Sequence, residues 1–261
     1  MDISLTGKHA LVGGSSRGIG QAIAMELASA GATVTVVART RQALEEVLKT
    51  LPRENEQPHE LIVADFSRPD QLEERVKMLV ARRPVQILVN NTGGPPGGSA
   101  HAADSREYQE AFTRHLICSQ VLTSVVLPGM RNAAYGRIIN LISTSVKQPI
   151  QGLGVSNTVR GAVANWAKTL ASELGPEQIT VNNVLPGLTD TDRLASLIRA
   201  RAATTDQSVE EITENMRQNI PLRRIADPSE IANAVAFLAS PAASYINGIN
   251  LPVDGGMILS L

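Results

Sequence analysis

The sequence predicts an α/β fold, in which a doubly wound parallel sheet carries helices on both faces. Short apolar runs rich in β-branched residues alternate with longer amphipathic stretches, which is the order expected of parallel strands joined by helices. The composition agrees, because 43% hydrophobic residues with only 3% aromatics describe a core of Val, Ile, Leu and Ala. No Pro/Ser-rich linker divides the 261 residues, so we predict one domain over residues 1–261.

The predicted strands are apolar runs that stop at Gly, Pro, Asp or Asn. They cover residues 9–12, 33–38, 61–64, 87–90, 137–142, 180–185 and 249–253. The predicted helices lie at 19–30, 41–50, 70–81, 105–130, 155–174 and 228–239. Gly31 and Gly175 stand where helices would end, and Pro228 stands where one would begin. Right-handed crossovers then gather functional groups at the carboxyl ends of the strands.

The segment 189–221 has a polar, helical pattern and contains no predicted strand. We interpret it as an excursion over the edge of the sheet. Long excursions of this kind often cover a binding site as a lid.

Charge and cysteine content limit the partners that we expect. The 24 Lys and Arg nearly balance the 25 Asp and Glu, so no basic field would attract nucleic acid or an anionic membrane surface. The chain shows no leader-like start and no apolar run of about 18 residues. Its single cysteine, Cys118, suits a reducing compartment, and no Cys/His cluster has zinc-ligand spacing. We therefore expect a cytoplasmic protein that binds no metal.

A glycine-rich turn follows the first predicted strand and leads directly into a helix. Its glycines permit a tight turn and a close approach of the backbone to a phosphate at the helix N-terminus. The G-x-x-x-G-x-G spacing in this context predicts dinucleotide binding, and a plain tight strand-to-helix connection is the alternative. The residues expected to contact the cofactor here are Gly14, Ser16, Arg17, Gly18, Ile19 and Gly20.

The end of the second predicted strand indicates which dinucleotide binds. An acidic residue there would hold the ribose 2′-hydroxyl of NAD, but this chain has Arg39. Arg39 and Arg17 could hold a 2′-phosphate bidentately, so we predict NADP (NADPH) as the cofactor. The alternative is that Arg39 is an ordinary surface charge at the start of a helix.

With these features the chain resembles the short-chain dehydrogenase/reductase family, whose fold is of the Rossmann type, over nearly its whole length. Further family markers are matched at Asp65, Asn90-Asn91-Thr92-Gly93, Ser143, Pro186-Gly187, Thr191 and Val253-Asp254-Gly255-Gly256. The resemblance implies that Asp65 lies near the adenine. It implies cofactor contacts also from Asn91, Gly93, Pro186, Gly187 and Thr191. It further implies hydride transfer at a carbonyl or alcohol carbon and, from the long helices, a homotetramer.

The chain departs from the family at the catalytic groups. The family uses a Ser that orients the substrate oxygen, a Tyr that exchanges its proton, a Lys four residues later and an Asn that holds a relay water. Here Ser143 is retained, while the Tyr and Lys positions fall on Ser156 and Arg160, so that YxxxK becomes SxxxR. The relay Asn position falls on His115.

This substitution changes the expected chemistry. The aliphatic hydroxyl of Ser156 is a much weaker acid than a phenol. Arg160 retains donors for the ribose hydroxyls of the cofactor, but it cannot pass a proton onward. His115 would titrate near pH 6.5 and could donate the proton directly or through water, unless it is an ordinary helix histidine. Lys147 could also reach the cleft, although an exposed lysine is the simpler interpretation.

Two functions of different class follow. The first is an NADP-dependent oxidoreductase of the carbonyl reductase or alcohol dehydrogenase type, with 3-oxoacyl compounds as one candidate class of substrate. In it Ser143 orients the oxygen of a small carbonyl or alcohol substrate, and His115 or water supplies the proton. The second is a catalytically silent homologue that binds NADP or another ligand and serves as a sensor or partner subunit.

Overall fold

The computed structural model describes residues 1–53 and 56–260, and its centre is one parallel sheet of seven strands. The strand order is β3-β2-β1-β4-β5-β6-β7. All neighbouring strands pair in parallel, which confirms the predicted fold class. The strands are β1 (His9–Gly13), β2 (Thr33–Ala38), β3 (Glu60–Val63), β4 (Ile87–Asn90), β5 (Gly136–Leu141), β6 (Ile179–Pro186) and β7 (Asn250–Val253).

Helices cover both faces of this sheet, and the two largest hydrophobic clusters lie on opposite faces. One face packs against α1 (Gly18–Ser29), α2 (Arg41–Thr50) and α9 (Pro228–Ala239). The other packs against α3 (Pro69–Val80), α5 (Cys118–Asn132) and α6 (Gly154–Leu174). Among the described residues, no helix has the length and apolar character needed to cross a membrane.

The single helix predicted over 105–130 is in fact two helices joined by a π-helical segment. The helix α4 (Ser105–Phe112) is followed by the π-helical residues Thr113–Ile117 and then by α5. A π-helical segment has a wider turn than the α-helix, so it rotates the side chains that it carries. His115 lies on this segment, and its side chain is buried.

The predicted excursion forms two helices, α7 (Asp192–Ala202) and α8 (Val209–Gln218). Thr191 caps α7, and Ser208 with Glu211 forms a capping box at α8. Leu194, Ile198 and Ile212 form a small hydrophobic cluster that packs the two helices together. The excursion is therefore a helical unit with a small core of its own.

The topology defines a crevice at the carboxyl ends of β1 and β4. The chain leaves β1 toward β2 on one side and later returns to β4 on the other. Ligands of doubly wound sheets bind at this switch point. The glycine turn follows β1, and the segment of Asn91 and Gly93 follows β4, so both lie at the crevice.

The buried histidine of β1 predicts a stability that depends on pH. His9 is 3% exposed, with Nε2 2.8 Å from Thr35 Oγ1, and burial lowers its pKa from 6.5 to about 4. The unfolded chain protonates His9 below about pH 6.5 while the folded chain does not. Stability is thus fully present above pH 6.5, and we expect it to fall by up to about 3 kcal/mol as the pH decreases to 4.

Urea unfolding of the protein and of a His9→Gln variant between pH 7 and pH 4 measures this dependence. The variant should be less stable at pH 7 but should lose less stability on acidification. An equally steep loss in both proteins would contradict the assignment to His9.

Candidate active site

The glycine turn between β1 and α1 is closed so tightly that a side chain does not fit. Gly14 and Gly18 have φ values of +58° and +56°. A Cβ added to Gly20 would lie 2.2 Å from the Gly14 carbonyl oxygen. Ser15 fixes the turn to the next strand, since its hydroxyl donates to Val12 O at 3.0 Å and accepts from Val37 N at 2.8 Å. The turn thus presents the N-terminus of α1 to the crevice.

Asn91, expected to contact the cofactor, holds the glycine turn from the end of β4. Its Nδ2 donates to the carbonyl oxygens of Gly13 and Gly14 at 3.0 and 3.3 Å. The same amide would lie 2.7 Å from a Cβ at Gly20. The structure therefore uses this side chain to connect the two loops that border the crevice.

The basic and acidic groups expected at the adenosine end lie after β2 and β3. Arg39 follows β2 and is exposed, and the Asp65 carboxylate accepts a hydrogen bond from Ser67 N at 2.9 Å. Arg17 was expected beside Arg39, but its guanidinium pairs with Asp192 at the start of α7, 3.0 Å away. Both partners are exposed, and such pairs contribute at most about 1 kcal/mol, so the pairing is easily exchanged.

The end of β6 closes the crevice from the side of the excursion. Pro186 is the last residue of β6, and a Cβ on Gly187 would lie 2.7 Å from Asp254 Cα. Thr191 faces the glycine turn, with its methyl group 3.2 Å from the position of a Cβ on Gly18. At Gly93 an added Cβ would meet no atom within 4 Å. The structure therefore places the residues predicted to bind the cofactor along one edge of the sheet.

Ser143 follows β5 and begins a short 3₁₀ turn. Its Oγ accepts a hydrogen bond from Ser145 N at 3.0 Å. This contact occupies a lone pair of the hydroxyl and leaves its hydrogen available as a donor. Ser143 can therefore donate to an oxygen placed in the crevice.

Ser156 and Arg160 lie four residues apart on α6 and so share one face of this helix. Ser156 is 93% buried. Arg160 Nη1 donates to Leu141 O in β5 at 2.8 Å. Burial, with the nearby charge of Arg193, lowers the pKa of Arg160 to about 10, so the guanidinium stays charged at neutral pH. Arg160 is therefore a fixed cation beside the end of β5.

His115 lies in the same region but does not have the acidity that the sequence suggested. Burial lowers its pKa well below 6.5, and the positive charges of Arg160, Arg114 and Arg193 lower it further. The expected titration near pH 6.5 is therefore wrong. The imidazole is neutral at neutral pH, so His115 cannot act as an imidazolium acid.

A small cavity, here called the His115 cavity, lies between Asn90, His115 and Arg160. Three buried atoms on its walls lack a hydrogen-bond partner among the described residues: Asn90 Oδ1, His115 Nε2 and Arg160 Nε. The space holds about one water molecule, which typically makes about three hydrogen bonds to such groups. The cavity thus has the size and the polar lining of a single-water site.

Sequence reasoning missed a ladder of asparagines that leads across the sheet to this cavity. The four side chains are in register on β4 to β7, and each Nδ2 donates to the next Oδ1 at 2.8 to 2.9 Å. The members of this asparagine ladder are Asn90, Asn140, Asn183 and Asn250. An asparagine within each of four predicted strands was the signal that could have revealed it.

Arg193, in the first turn of α7, is the second missed residue. Its Nη1 and Nη2 donate to the carbonyl oxygens of Gly94 and Pro95, at 3.2 and 2.9 Å. This contact joins the excursion to the loop after β4. The prediction of a covering segment at 189–221 pointed to the region, but no pattern singled out the side chain.

The three tyrosines do not replace the phenol that the family uses. Tyr108 donates to Ala100 O at 3.2 Å, and Tyr135 donates to Ala239 O at 2.6 Å. Tyr245 is fully exposed. None of these side chains lines the His115 cavity.

Comparisons with known proteins agree with this geometry. A family model described as Enoyl-(Acyl carrier protein) reductase matches residues 14–258. A 3-oxoacyl-[acyl-carrier-protein] reductase of Pseudomonas aeruginosa is 34% identical, over 99% of this chain and 100% of its own length. The structure of an L-sorbose reductase from Gluconobacter frateurii, complexed with NADPH and L-sorbose, superposes with a TM-score of 0.93 at 30% identity over the full length of both chains.

A second solved structure, the NADPH-dependent reductase YwfH involved in bacilysin biosynthesis, has a TM-score of 0.91 and 25% identity over 97% of this chain and 99% of its own. The fold, the glycine turn and the full-length similarity to reductases agree with one another. The chain belongs to the short-chain dehydrogenase/reductase family, in the group described as enoyl-(acyl carrier protein) reductase.

Proposed function

We propose that the protein is an NADP-dependent oxidoreductase that reduces a carbonyl group, or oxidises an alcohol, of a small molecule. The observation that carries this proposal is the closed glycine turn after β1, with Ser143 following β5, two strands away at the same edge of the sheet. The reductase relatives and the NADPH complex of the L-sorbose reductase support it. Within this class we propose more specifically that the substrate is a 3-oxoacyl compound, as the name of the Pseudomonas aeruginosa relative indicates for that protein.

The residues present suit the cofactor. The space that a Cβ on Gly20 would fill is kept clear, so that the backbone N–H groups of the turn can approach a pyrophosphate. Arg39 would hold the 2′-phosphate, Asp65 would lie near the adenine, and Arg160 would donate to the nicotinamide ribose. When bound, NADPH supplies the hydride.

The proposed active site keeps one family group and replaces the others. In this proposal Ser156 and Arg160, four residues apart on α6, take the positions of the family's Tyr and Lys. Ser143 donates its hydroxyl hydrogen to the substrate oxygen, and the Arg160 charge stabilises negative charge that develops on that oxygen. Ser156 takes little space, so the pocket is wider than one that contains a phenol.

Because His115 is neutral, we propose that water supplies the proton. The His115 cavity can hold such a water, which would accept from Arg160 Nε and donate to Asn90 Oδ1 or His115 Nε2. His115 is then a positioning residue and not the acid. The proposed proton source is therefore a water next to Arg160.

Purified protein with NADPH and a panel of ketones, 3-oxoacyl thioesters and quinones tests the proposal. Oxidation of NADPH by at least one class of carbonyl is expected. Tight NADPH binding without turnover of any compound would contradict it and favour the silent, ligand-binding alternative. One observation favours that alternative: among the described residues, no tyrosine lines the His115 cavity. The alternative predicts that Ser156→Tyr with Arg160→Lys creates activity that the parent lacks.

The cofactor preference can be tested separately at Arg39. Replacing Arg39 by alanine is expected to weaken NADPH binding about 10- to 100-fold, because it removes a charge-assisted contact to the 2′-phosphate. Binding of NADH, which lacks this phosphate, should change little. Arg41→Ala is the matched control, since this exposed arginine pairs with Glu45 at 3.7 Å. Equal weakening of both cofactors by the Arg39 change would contradict the assignment.

Two further proposals rest mainly on the family resemblance and the composition. We propose a homotetramer, with the exposed apolar side chains of Phe112 and Ile117 as candidates for its interface. We propose a cytoplasmic location, since the single cysteine, Cys118, is buried and free. Sedimentation equilibrium should give the mass of four chains of 27.8 kDa.

A further inference from the structure

The substrate side of the site contains cations without an acidic partner. In the described part of the chain, no carboxylate lies within ion-pair distance of Arg160 or Arg193. Arg114, the third cation near His115, pairs with Glu110 only at 3.5 Å on the exposed surface. Arg160 is partly buried, and Arg193 is exposed but held by two backbone carbonyl oxygens. A partly buried charge is normally paired, so Arg160, with the charge of Arg193 nearby, favours an anion from outside the chain.

The two guanidiniums keep most of their donors available. Arg193 uses two N–H groups on the carbonyl oxygens of Gly94 and Pro95, and Arg160 uses one on Leu141 O. A guanidinium has five N–H donors in a planar fork that matches a carboxylate. These contacts therefore orient both side chains and leave further N–H groups of each guanidinium available to bind an anion.

The cofactor does not supply the missing anion. Its negative charges are the pyrophosphate, which belongs at the glycine turn, and the 2′-phosphate, which belongs beside Arg39. Arg160 lies next to the end of β5, and Arg193 contacts the loop after β4, so both are near the end of the crevice that holds Ser143. The reduced nicotinamide that reacts there is uncharged.

Resting on the proposed function, we propose that the substrate is an oxo acid, that is, a carbonyl compound with a carboxylate close to the reacting carbon. Arg193 is the specificity-determining residue that binds this carboxylate, and Arg160 contributes the second positive charge. Because Arg193 also joins α7 to the loop after β4, the bound carboxylate stabilises the excursion over the substrate. The burial of Arg160 and the charge of Arg193, which together lower the pKa of Arg160, are consistent with a site that gains stability when an anion enters.

Matched pairs of acids and esters test this inference. The rate of NADPH oxidation is measured with acetoacetate against methyl acetoacetate, and with 2-oxobutyrate against methyl 2-oxobutyrate. The parent protein should use the acids with a kcat/KM about 10- to 100-fold higher, the range expected for hydrogen bonds to a charged group. Equal use of acids and esters would overturn the inference and leave the proposed function intact.

Variants at two arginines of α7 locate the effect. Arg193→Gln should raise KM for the acids about tenfold or more and leave KM for the esters nearly unchanged. A purely structural role would affect both. Arg199→Gln is the matched control, because Arg199 is exposed on the same helix, and in the described part of the chain its guanidinium hydrogen-bonds to Ser196 Oγ at 3.3 Å and forms no ion pair. A weaker affinity of Arg193→Gln for NADPH would show that the guanidinium serves the cofactor, and would overturn the inference.

A binding measurement covers the case in which no compound is reduced. Calorimetric titration of the NADP⁺ complex with 2-oxobutyrate should show binding that methyl 2-oxobutyrate lacks and that Arg193→Gln loses. Binding of the acid in the absence of turnover would support the inference while the proposed function fails. Absence of binding by the acid would overturn the inference.

Discussion

Replacing Gly20 by alanine is expected to abolish tight binding of NADPH. The added Cβ would lie 2.2 Å from Gly14 O and 2.7 Å from Asn91 Nδ2, and neither group can retreat without opening the turn. We expect the affinity for NADPH to fall at least about 100-fold, with a loss of stability of about 3 kcal/mol from overpacking. Fluorescence titration with NADPH and urea unfolding measure the two effects.

The matched control for this change is Gly161→Ala in the middle of α6. Apart from the backbone of its own helix, an added Cβ there meets none of the described atoms within 4 Å, and alanine is favoured over glycine inside a helix by about 1 kcal/mol. This variant should therefore bind NADPH normally and be at least as stable as the parent. If Gly20→Ala binds NADPH within a few-fold of the parent, the glycine turn is not the pyrophosphate site.

Replacing Ser143 by alanine is expected to lower kcat about 100- to 1000-fold, the range found when one oriented donor to a developing oxyanion is removed. The affinity for NADPH should not change, because the hydroxyl acts on the substrate oxygen. The effect should appear in steady-state kinetics with whichever carbonyl compound the panel identifies. The neighbouring Ser145→Ala is the control, since the contact to Ser143 Oγ uses the backbone N–H of Ser145.

An unchanged kcat in Ser143→Ala would contradict the role of this residue. It would also remove the geometric reason for placing the reacting oxygen at the end of β5. If kcat falls as expected, retained NADPH affinity distinguishes the loss of catalysis from a general loss of the fold.

The fold could be predicted because local signals and tertiary structure agree. All seven strands appear within about one residue of their predicted ends, since β-branched residues buried on both faces leave few alternatives to a parallel strand. Pro228 begins α9, and Gly31, with φ of +98°, follows the first helix as expected. The exception is the helix at 105–130, because a change from α to π geometry leaves little trace in the hydrophobic period.

The candidate site was less predictable from the sequence. The glycine turn and Ser143 have recognisable local contexts, and the structure places both at the crevice. The pKa of His115 is lowered by its burial and by three arginines. Two of these arginines are distant in the sequence, and no motif marks the third. The contact of Arg193 with Gly94 joins residues 99 positions apart, which no local pattern encodes.

The asparagine ladder has a consequence for how the sheet balances charge. Its amides all donate in one direction, away from Asn90, and such aligned hydrogen bonds polarise one another. The negative end of the resulting dipole is Asn90 Oδ1, which faces the same small cavity as the Arg160 guanidinium. Part of the electrostatic compensation for a buried cation thus comes from neutral groups spread over four strands. Since amides do not titrate, this compensation is constant over the whole range of pH in which the protein is folded.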